Sequence, residues 1–203
     1  MQLKISLKKP LFIGSVVGVV FYSVVLFSLT FDLLAQDSYA QPVSFIEPFF
    51  FPEQISAGLP IRIKIPKIKV DAAIENVGLT PKGEMGTPKL PHNTAWYNLG
   101  PRPGEVGSAA IAGHLNWYNG ATGVFEDLSQ LRVGDEIMVQ DDKGAVSTFI
   151  VRKIRMYSPK EDASEVFVSN DGRAHLNLIT CDGAWDENTK QYSRRLVVFA
   201  DKV

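Results

Sequence analysis

Cysteine is nearly absent from this chain: Cys181 is the only one in 203 residues, and there are three histidines. One cysteine excludes an intrachain disulfide framework, and one thiol with three scattered imidazoles gives no zinc-ligand spacing. Neither G-x-x-x-x-G-K-[ST] nor G-x-G-x-x-G occurs, so no nucleotide-binding loop is indicated. An excess of one charge is also missing, because 21 Lys and Arg stand against 22 Asp and Glu. That balance points away from a nucleic-acid partner and from a strongly charged substrate.

One long uncharged stretch is present, Pro10 to Phe31. It exceeds the roughly 20 apolar residues needed to cross a bilayer core. Lys4, Lys8 and Lys9 precede it, and Asp32, Asp37, Glu47 and Glu53 follow it, which orients the N-terminus toward the cytoplasm. The competing reading is a cleaved signal peptide with Ser38-Tyr39-Ala40 at the cleavage site, but such peptides carry shorter apolar cores of about 7–15 residues. The expected organisation is a basic cytoplasmic tail (1–9), a transmembrane signal-anchor (10–35), an extracellular linker (36–58) and one domain (59–203). Pro42, Pro48 and Pro52 and the lack of periodicity mark the linker, in which Phe49-Phe50-Phe51 is an unusual run.

From Leu59 the texture is that of short strands. Ile61, Ile63 and Ile65 alternate with Arg62 and Lys64, predicting a half-buried strand that ends at Pro66. A second strand is expected over Ile68 to Val77, and Pro81-Lys82-Gly83 marks a turn. Pro101-Arg102-Pro103-Gly104 marks a loop before a small apolar run that stops on His114. Val124, Leu128 and Leu131 are spaced like a helical turn. Asp135 to Gln140 and Val146 to Tyr157 should form a hairpin around Asp141-Asp142-Lys143-Gly144. Ser158-Pro159-Lys160-Glu161 has the form of a capping box and predicts a short helix over Pro159 to Val168. Two apolar runs close the chain, one ending on Cys181 and one opened by Arg194-Arg195, with a polar loop between. Many short strands and few helices predict a mainly β fold, a closed or nearly closed barrel.

Cys181 ends its run before Asp182-Gly183, a turn that would expose it. A free cysteine is most often a buried structural residue. An exported lone thiol is an oxidation liability, however, so its retention suggests use. His114 is the natural proton-transfer partner for such a thiol, since its ordinary pKa lies near neutrality. His92 lies in a loop between Pro91 and Asn93, and His175 starts the strand about six residues, or ~20 Å, from the thiol. Both are weaker candidates. Arg194 and Arg195 point to opposite faces of one strand, so only one can face Cys181. Its role would be to steady a developing oxyanion.

These residues resemble the sortases, membrane-anchored cysteine transpeptidases of Gram-positive cell surfaces. The resemblance spans Leu59 to Val203. It rests on Ala112-Gly113-His114 with its lead-in Pro103 to Ser108, on Leu178-Ile179-Thr180-Cys181, similar to the family's TLxTC, and on Arg195-Leu196-Val197-Val198. Asn177 stands where the family has its first Thr. Aligning on the strand favours Arg195 and counting from the cysteine favours Arg194; Arg195 is taken here. The resemblance implies a sortase-like β-barrel cutting an LPxTG-type sorting signal between Thr and Gly. Cys181 would form a thioacyl-enzyme, His114 would move protons, Arg195 would position substrate and Thr180 would add a hydrogen bond beside the thiol. The segment from Met156 to His175 would line the groove for the sorting signal. No metal ligand set or cofactor is indicated, and calcium dependence is left open. Expected partners are secreted proteins bearing a C-terminal sorting signal, an amine of peptidoglycan or a pilin-type lysine, and membrane lipid through the N-terminal helix. The location would be the cell membrane with the domain outside. The alternatives are an anchored cysteine peptidase that only hydrolyses and a non-catalytic anchored β-barrel that binds a peptide or wall polymer.

Overall fold

The computed structural model describes residues 56–117 and 120–203. The expected signal-anchor, almost all of the linker and the Phe49-Phe50-Phe51 run lie outside the described residues. Among the described residues no helix is long and apolar enough to cross a membrane.

Eight strands make up the domain: β1 (Pro60–Ile65), β2 (Val70–Val77), β3 (Thr94–Tyr97), β4 (Gly107–Gly113), β5 (Glu136–Asp141), β6 (Val146–Tyr157), β7 (Ala174–Asp186) and β8 (Gln191–Lys202). They close into a barrel in the order β1-β2-β3-β4-β7-β8-β6-β5, with β5 returning to β1. β2 with β3 and β4 with β7 are parallel, and the other pairs are antiparallel. The mainly β, closed-barrel expectation holds.

Two apolar clusters arise from the period of two along the strands. Leu176 and Leu178 of β7, Leu196, Val198 and Ala200 of β8, and Ala109 and Ile111 of β4 fill one cluster with Phe125, Leu128 and Leu131. The alternate residues Ile179, Val197, Phe199, Ala110 and Ala112 build the second, with Met85, Tyr157, Ala163, Val166 and Phe167. Strands covered on both faces read as unbroken apolar runs, which is why Leu196 to Phe199 shows no alternation. Fully burying each Leu, Val, Ile or Phe side chain contributes about 1.5–3 kcal/mol. The second cluster matters for function, because it seats the β6–β7 connection against the outer face of β4, β7 and β8.

Several expectations are corrected. β2 begins at Val70, since Pro66–Ile68 forms a 3-10 turn that ends on Lys69 in the left-handed region (φ 55°). Ile61 is exposed, because the β1–β5 register shifts between Pro60 and Arg62. The helical turn near Val124 reduces to a 3-10 turn at Leu128–Gln130. Of the helix expected over Pro159 to Val168, only a 3-10 turn at Ser164–Val166 forms. One half of the capping box is made, as Ser158 N–H donates to Glu161 at 3.2 Å. The Asp162 carboxylate then accepts from the Ser164 N–H at 2.9 Å, a local side-chain bond that competes with helix. Arg155 draws in both Glu161 and Glu165. β3 went unanticipated: four residues, all buried, carry no alternation.

The largest correction concerns Cys181, which ends no strand. β7 runs on to Asp186 and β8 starts at Gln191, so the expected polar loop is mostly hairpin. The ladder slips between Asp182 and Trp185, where Gly183 takes a φ of 84° and the Ser193 hydroxyl accepts from the Ala184 N–H at 3.0 Å. This is a bulge at a positive-φ glycine rather than a turn.

Gly113 closes β4 against the first cluster. A Cβ there would lie 2.4 Å from the Phe125 ring and 2.7 Å from a Val124 methyl. Gly113→Ala should therefore cost about 1–3 kcal/mol as overpacking. A urea titration of the two proteins checks this; an unchanged midpoint would mean that Phe125 moves aside freely.

Candidate active site

Strand register brings the proposed residues together. Cys181 of β7 is the direct partner of Arg195 of β8, and directly opposed residues of an antiparallel pair share a face. On the other side β4 runs parallel to β7, with Ala112 level with Ile179. Continuing that register by two residues sets His114 level with Cys181. The three residues thus fall in one row, with His114 one residue past the end of β4, Cys181 on β7 and Arg195 on β8, and His114 and Cys181 line one cavity; adjacent strands are about 4.8 Å apart. Tyr157 of β6, the partner of Arg195, extends the row by one strand. All four belong to the outer face whose upper part is the second apolar cluster.

Each side chain is held by its surroundings. Cys181 is half-buried and unpaired with any other cysteine. The Thr180 hydroxyl, buried on the opposite face, donates to the Gly113 carbonyl at 3.0 Å. It ties the residue before the cysteine to the residue before the histidine. A His114 ring nitrogen, Nε2, lies 2.8 Å from the Pro88 carbonyl. A carbonyl only accepts, so Nε2 carries a proton and Nδ1 is the free site of the neutral ring. The ring also meets Trp117 edge-to-face at 4.7 Å.

The two arginines are in opposite situations. Arg194 pairs in register with Asp182 and makes a charge contact with its carboxylate at 3.0 Å, with its side chain half exposed. Arg195 is 4% exposed and has no carboxylate partner among the described residues. Its Nη1 donates to the carbonyls of Tyr192 (2.9 Å) and Arg194 (2.7 Å), while its Nε is buried with no acceptor. A buried cation with an unused donor beside a thiol is costly in isolation and suited to meet an oxygen carrying negative charge.

A cavity of about 580 Å³ opens beside the row, lined by His114, Leu115, Asn116, Trp117, Cys181, Trp185 and Tyr192. The β6–β7 connection flanks the row on the Arg195 side. There Tyr157 is fully buried and donates to Glu165, which also receives Arg155 and Lys153. Burial, followed by the bond to Glu165, pushes the Tyr157 hydroxyl pKa well above its ordinary value. The same bond to Tyr157 is the main force holding the Glu165 carboxyl below its usual range.

The weaker histidine candidates lie elsewhere. His175 is buried at the start of β7 and contacts Asp201 (2.7 Å) and Asp171 (2.9 Å). His92 lines a separate polar hollow with Asp71, Glu126 and Asp127. No group of residues able to hold a metal ion occurs among the described residues. Asn177 is buried on the face of Cys181, where its Nδ2 donates to the Val166 carbonyl at 2.7 Å. Sequence reasoning missed Pro88, Tyr157, Trp185 and Tyr192. Two aromatic residues in an otherwise polar stretch, Trp185 four positions after Cys181 and Tyr192 three before Arg195, were the available signal for the last two.

A family model described as the Sortase domain matches residues 63–203. The chain belongs to the sortase family. Membership implies a cysteine transpeptidase in general terms. Among solved structures, this sortase is similar to sortase C-1 from Actinomyces oris, with a TM-score of 0.56 and 26% identity, covering 71% of this chain and 74% of that one. It is also similar to a sortase D5 transpeptidase from Clostridium perfringens, with a TM-score of 0.53 and 25% identity, covering 74% and 83%. A lid mutant of sortase A from Corynebacterium diphtheriae shares the fold at a TM-score of 0.56 and 22% identity, covering 75% and 74%. No curated protein matches the chain significantly.

The Thr180–Gly113 bond makes a direct prediction. Thr180→Val keeps the shape and removes the donor, so it should cost about 1 kcal/mol, and Thr180→Ser should recover most of that. Urea unfolding of the three proteins reads the difference. Equal midpoints for the Val and Ser variants would show that the hydroxyl ties nothing.

Proposed function

We propose that this sortase cleaves an LPxTG-type sorting signal between Thr and Gly and transfers the acyl part to an amine. The observation that carries the reading is the single row His114, Cys181, Arg195, in which a thiol stands between an imidazole and a buried cation. The Cys181 thiol gives its proton to His114, the resulting thiolate attacks the scissile carbonyl, and a C–S bond forms as the carbonyl pair moves onto oxygen. Arg195, with its Nε free of any acceptor, faces that charge. The tetrahedral species collapses, the C–N bond breaks, and the leaving amine takes its proton from His114. An incoming amine then gives a proton to His114, attacks the thioacyl carbon, and expels the Cys181 sulfur with its electron pair. The β6–β7 connection, clamped by Tyr157, Glu165 and Arg155, walls the side on which the sorting signal would lie.

The partners proposed with this reading are secreted proteins carrying a C-terminal sorting signal and an amine of peptidoglycan or of a pilin-type lysine. The proposed location is the cell membrane with the domain outside, supported by the apolar stretch Pro10 to Phe31 and the lysines before it. No cofactor enters the scheme.

The test is to incubate the full chain with an LPxTG peptide, with and without triglycine, and to identify products by mass. A joined product supports transpeptidation, whereas acid alone in both arms makes the protein a peptidase. Cys181→Ala should abolish cleavage and joining together. Arg195→Ala should lower kcat/KM by about 10²-fold or more, and Arg195→Lys should recover only part, because an ammonium does not reproduce the guanidinium fork. Arg194→Ala should stay within a few-fold of the parent, since that side chain is half exposed and paired with Asp182. If Arg194→Ala were the crippled variant, the cationic role would belong to Arg194.

A further inference from the structure

The chain between β6 and β7, residues 158–173, is pinned to the outer face of the barrel by three side chains, and one of them is a histidine. We propose that His175 is a proton-operated latch: as a cation it holds Asp171, and on losing its proton it releases the exit limb of the connection, residues 169–172. The latch belongs to the fold and stands or falls independently of the acyl-transfer reading.

Alternation puts His175 on the same face of β7 as Asn177, Ile179 and Cys181. Along that face Tyr157 holds Glu165, and Asn177 Nδ2 holds the Val166 carbonyl at 2.7 Å. Neither of these pins responds near neutral pH. The amide does not titrate, burial pushes the Tyr157 hydroxyl well above its ordinary value, and the bond to Tyr157 keeps the Glu165 carboxyl below its usual range. The third pin is different. The His175 side chain is 4% exposed, with Nδ1 at 2.7 Å from an Asp201 oxygen and Nε2 at 2.9 and 3.0 Å from the two Asp171 oxygens. Carboxylates only accept, so both ring nitrogens donate and the ring is an imidazolium. Asp171 is ionised opposite it, because the bond from His175, followed by that from the Arg173 N–H, holds its carboxyl well below the usual range.

The surrounding charges decide which bond gives way. Asp201 on β8 keeps cations beside it whatever the ring does, since Arg152 Nε of β6 lies at 2.7 Å and Arg173 Nη2 at 3.9 Å. From β4 the register partner of His175 is Ser108, which carries no charge. Asp171 receives the Ser169 hydroxyl and the Arg173 N–H, and among the described residues no second cation. A neutral imidazole has one N–H, so it can donate to one carboxylate and turns a bare lone pair on the other. Asp201 is fixed in a strand, whereas Asp171 is half exposed and precedes Gly172 in the left-handed region (φ 77°). Asp171 is therefore the partner that moves off into water. Acidification leaves the latch shut until the Asp171 carboxyl itself takes a proton, below its usual range, and raising the pH through the titration of the ring opens it.

The test uses the full chain in detergent, uniformly labelled with ¹⁵N. The ring nitrogen shifts of His175 and the backbone order parameters of residues 169–172 are followed from about pH 5 to pH 9, the span in which histidines commonly titrate. Both should change with one midpoint, the order parameters falling from about 0.85 towards 0.6 while those of residues 164–167 stay constant. Asp171→Ala should leave residues 169–172 loose at every pH. Asp171→Asn should keep them ordered at every pH while the ring still titrates, because an amide can accept from the charged ring or donate to the neutral one. Three results would each overturn the latch: a ring that keeps one protonation state throughout, a ring that titrates while residues 169–172 stay ordered, or a pH step that survives in Asp171→Asn.

Discussion

The register of β7 between its two neighbours is the constraint on which the site depends. One antiparallel partner puts Arg195 opposite Cys181, and one parallel partner puts His114 level with it. A slip of one residue on either side would turn the partner to the other face, since side chains alternate strictly. The register is held by burial on both faces. Leu176 and Leu178 fill the interior while Ile179 packs outside, so no shifted pairing keeps all of them dry. The Thr180–Gly113 hydrogen bond pins the same register at the point where β4 hands over to His114.

The row also explains a cost that the fold bears. Among the described residues Arg195 is buried, donates to backbone carbonyls alone and leaves Nε without an acceptor. Neighbouring Arg194 shows the ordinary alternative, a half-exposed guanidinium beside an aspartate. Buried charges without a counter-ion persist where the surrounding structure over-determines them, and here the β8 ladder and the Tyr157 clamp do so. The same desolvation strengthens the cation toward any oxygen that gains charge beside Cys181. Function and local instability thus share one cause.

Much of this was legible in the chain. Alternation at Ile63 and Ile65 is a period-two signal, the Asp141 to Gly144 stretch is a hairpin turn signal, and the apolar runs ending at His114 and flanking Cys181 are those of strands buried on both faces; together they gave a mainly β barrel. What failed has physical reasons. β3 is too short to show a period, and the helix expected after Pro159 lost to an Asp162–Ser164 side-chain bond and to packing of Ala163 and Val166. The strand end at Cys181 was misread because Asp182-Gly183 serves a bulge as readily as a turn. Arg194 and Arg195 were inseparable by pattern, as both faces of β8 are apolar; only the ladder separates their surroundings. The aromatic wall at Trp185 and Tyr192 was hidden within a stretch read as loop.

The central claim is a covalent thioacyl centre at Cys181, and trapping it is the most direct test. The full chain is mixed with an LPxTG peptide, quenched in acid within milliseconds to seconds, and weighed intact before digestion. The account predicts an added mass equal to the acyl half of the peptide, carried by Cys181 and released as a hydroxamate by neutral hydroxylamine. Turnover of the peptide with no adduct on Cys181, or with the adduct on another residue, would contradict it.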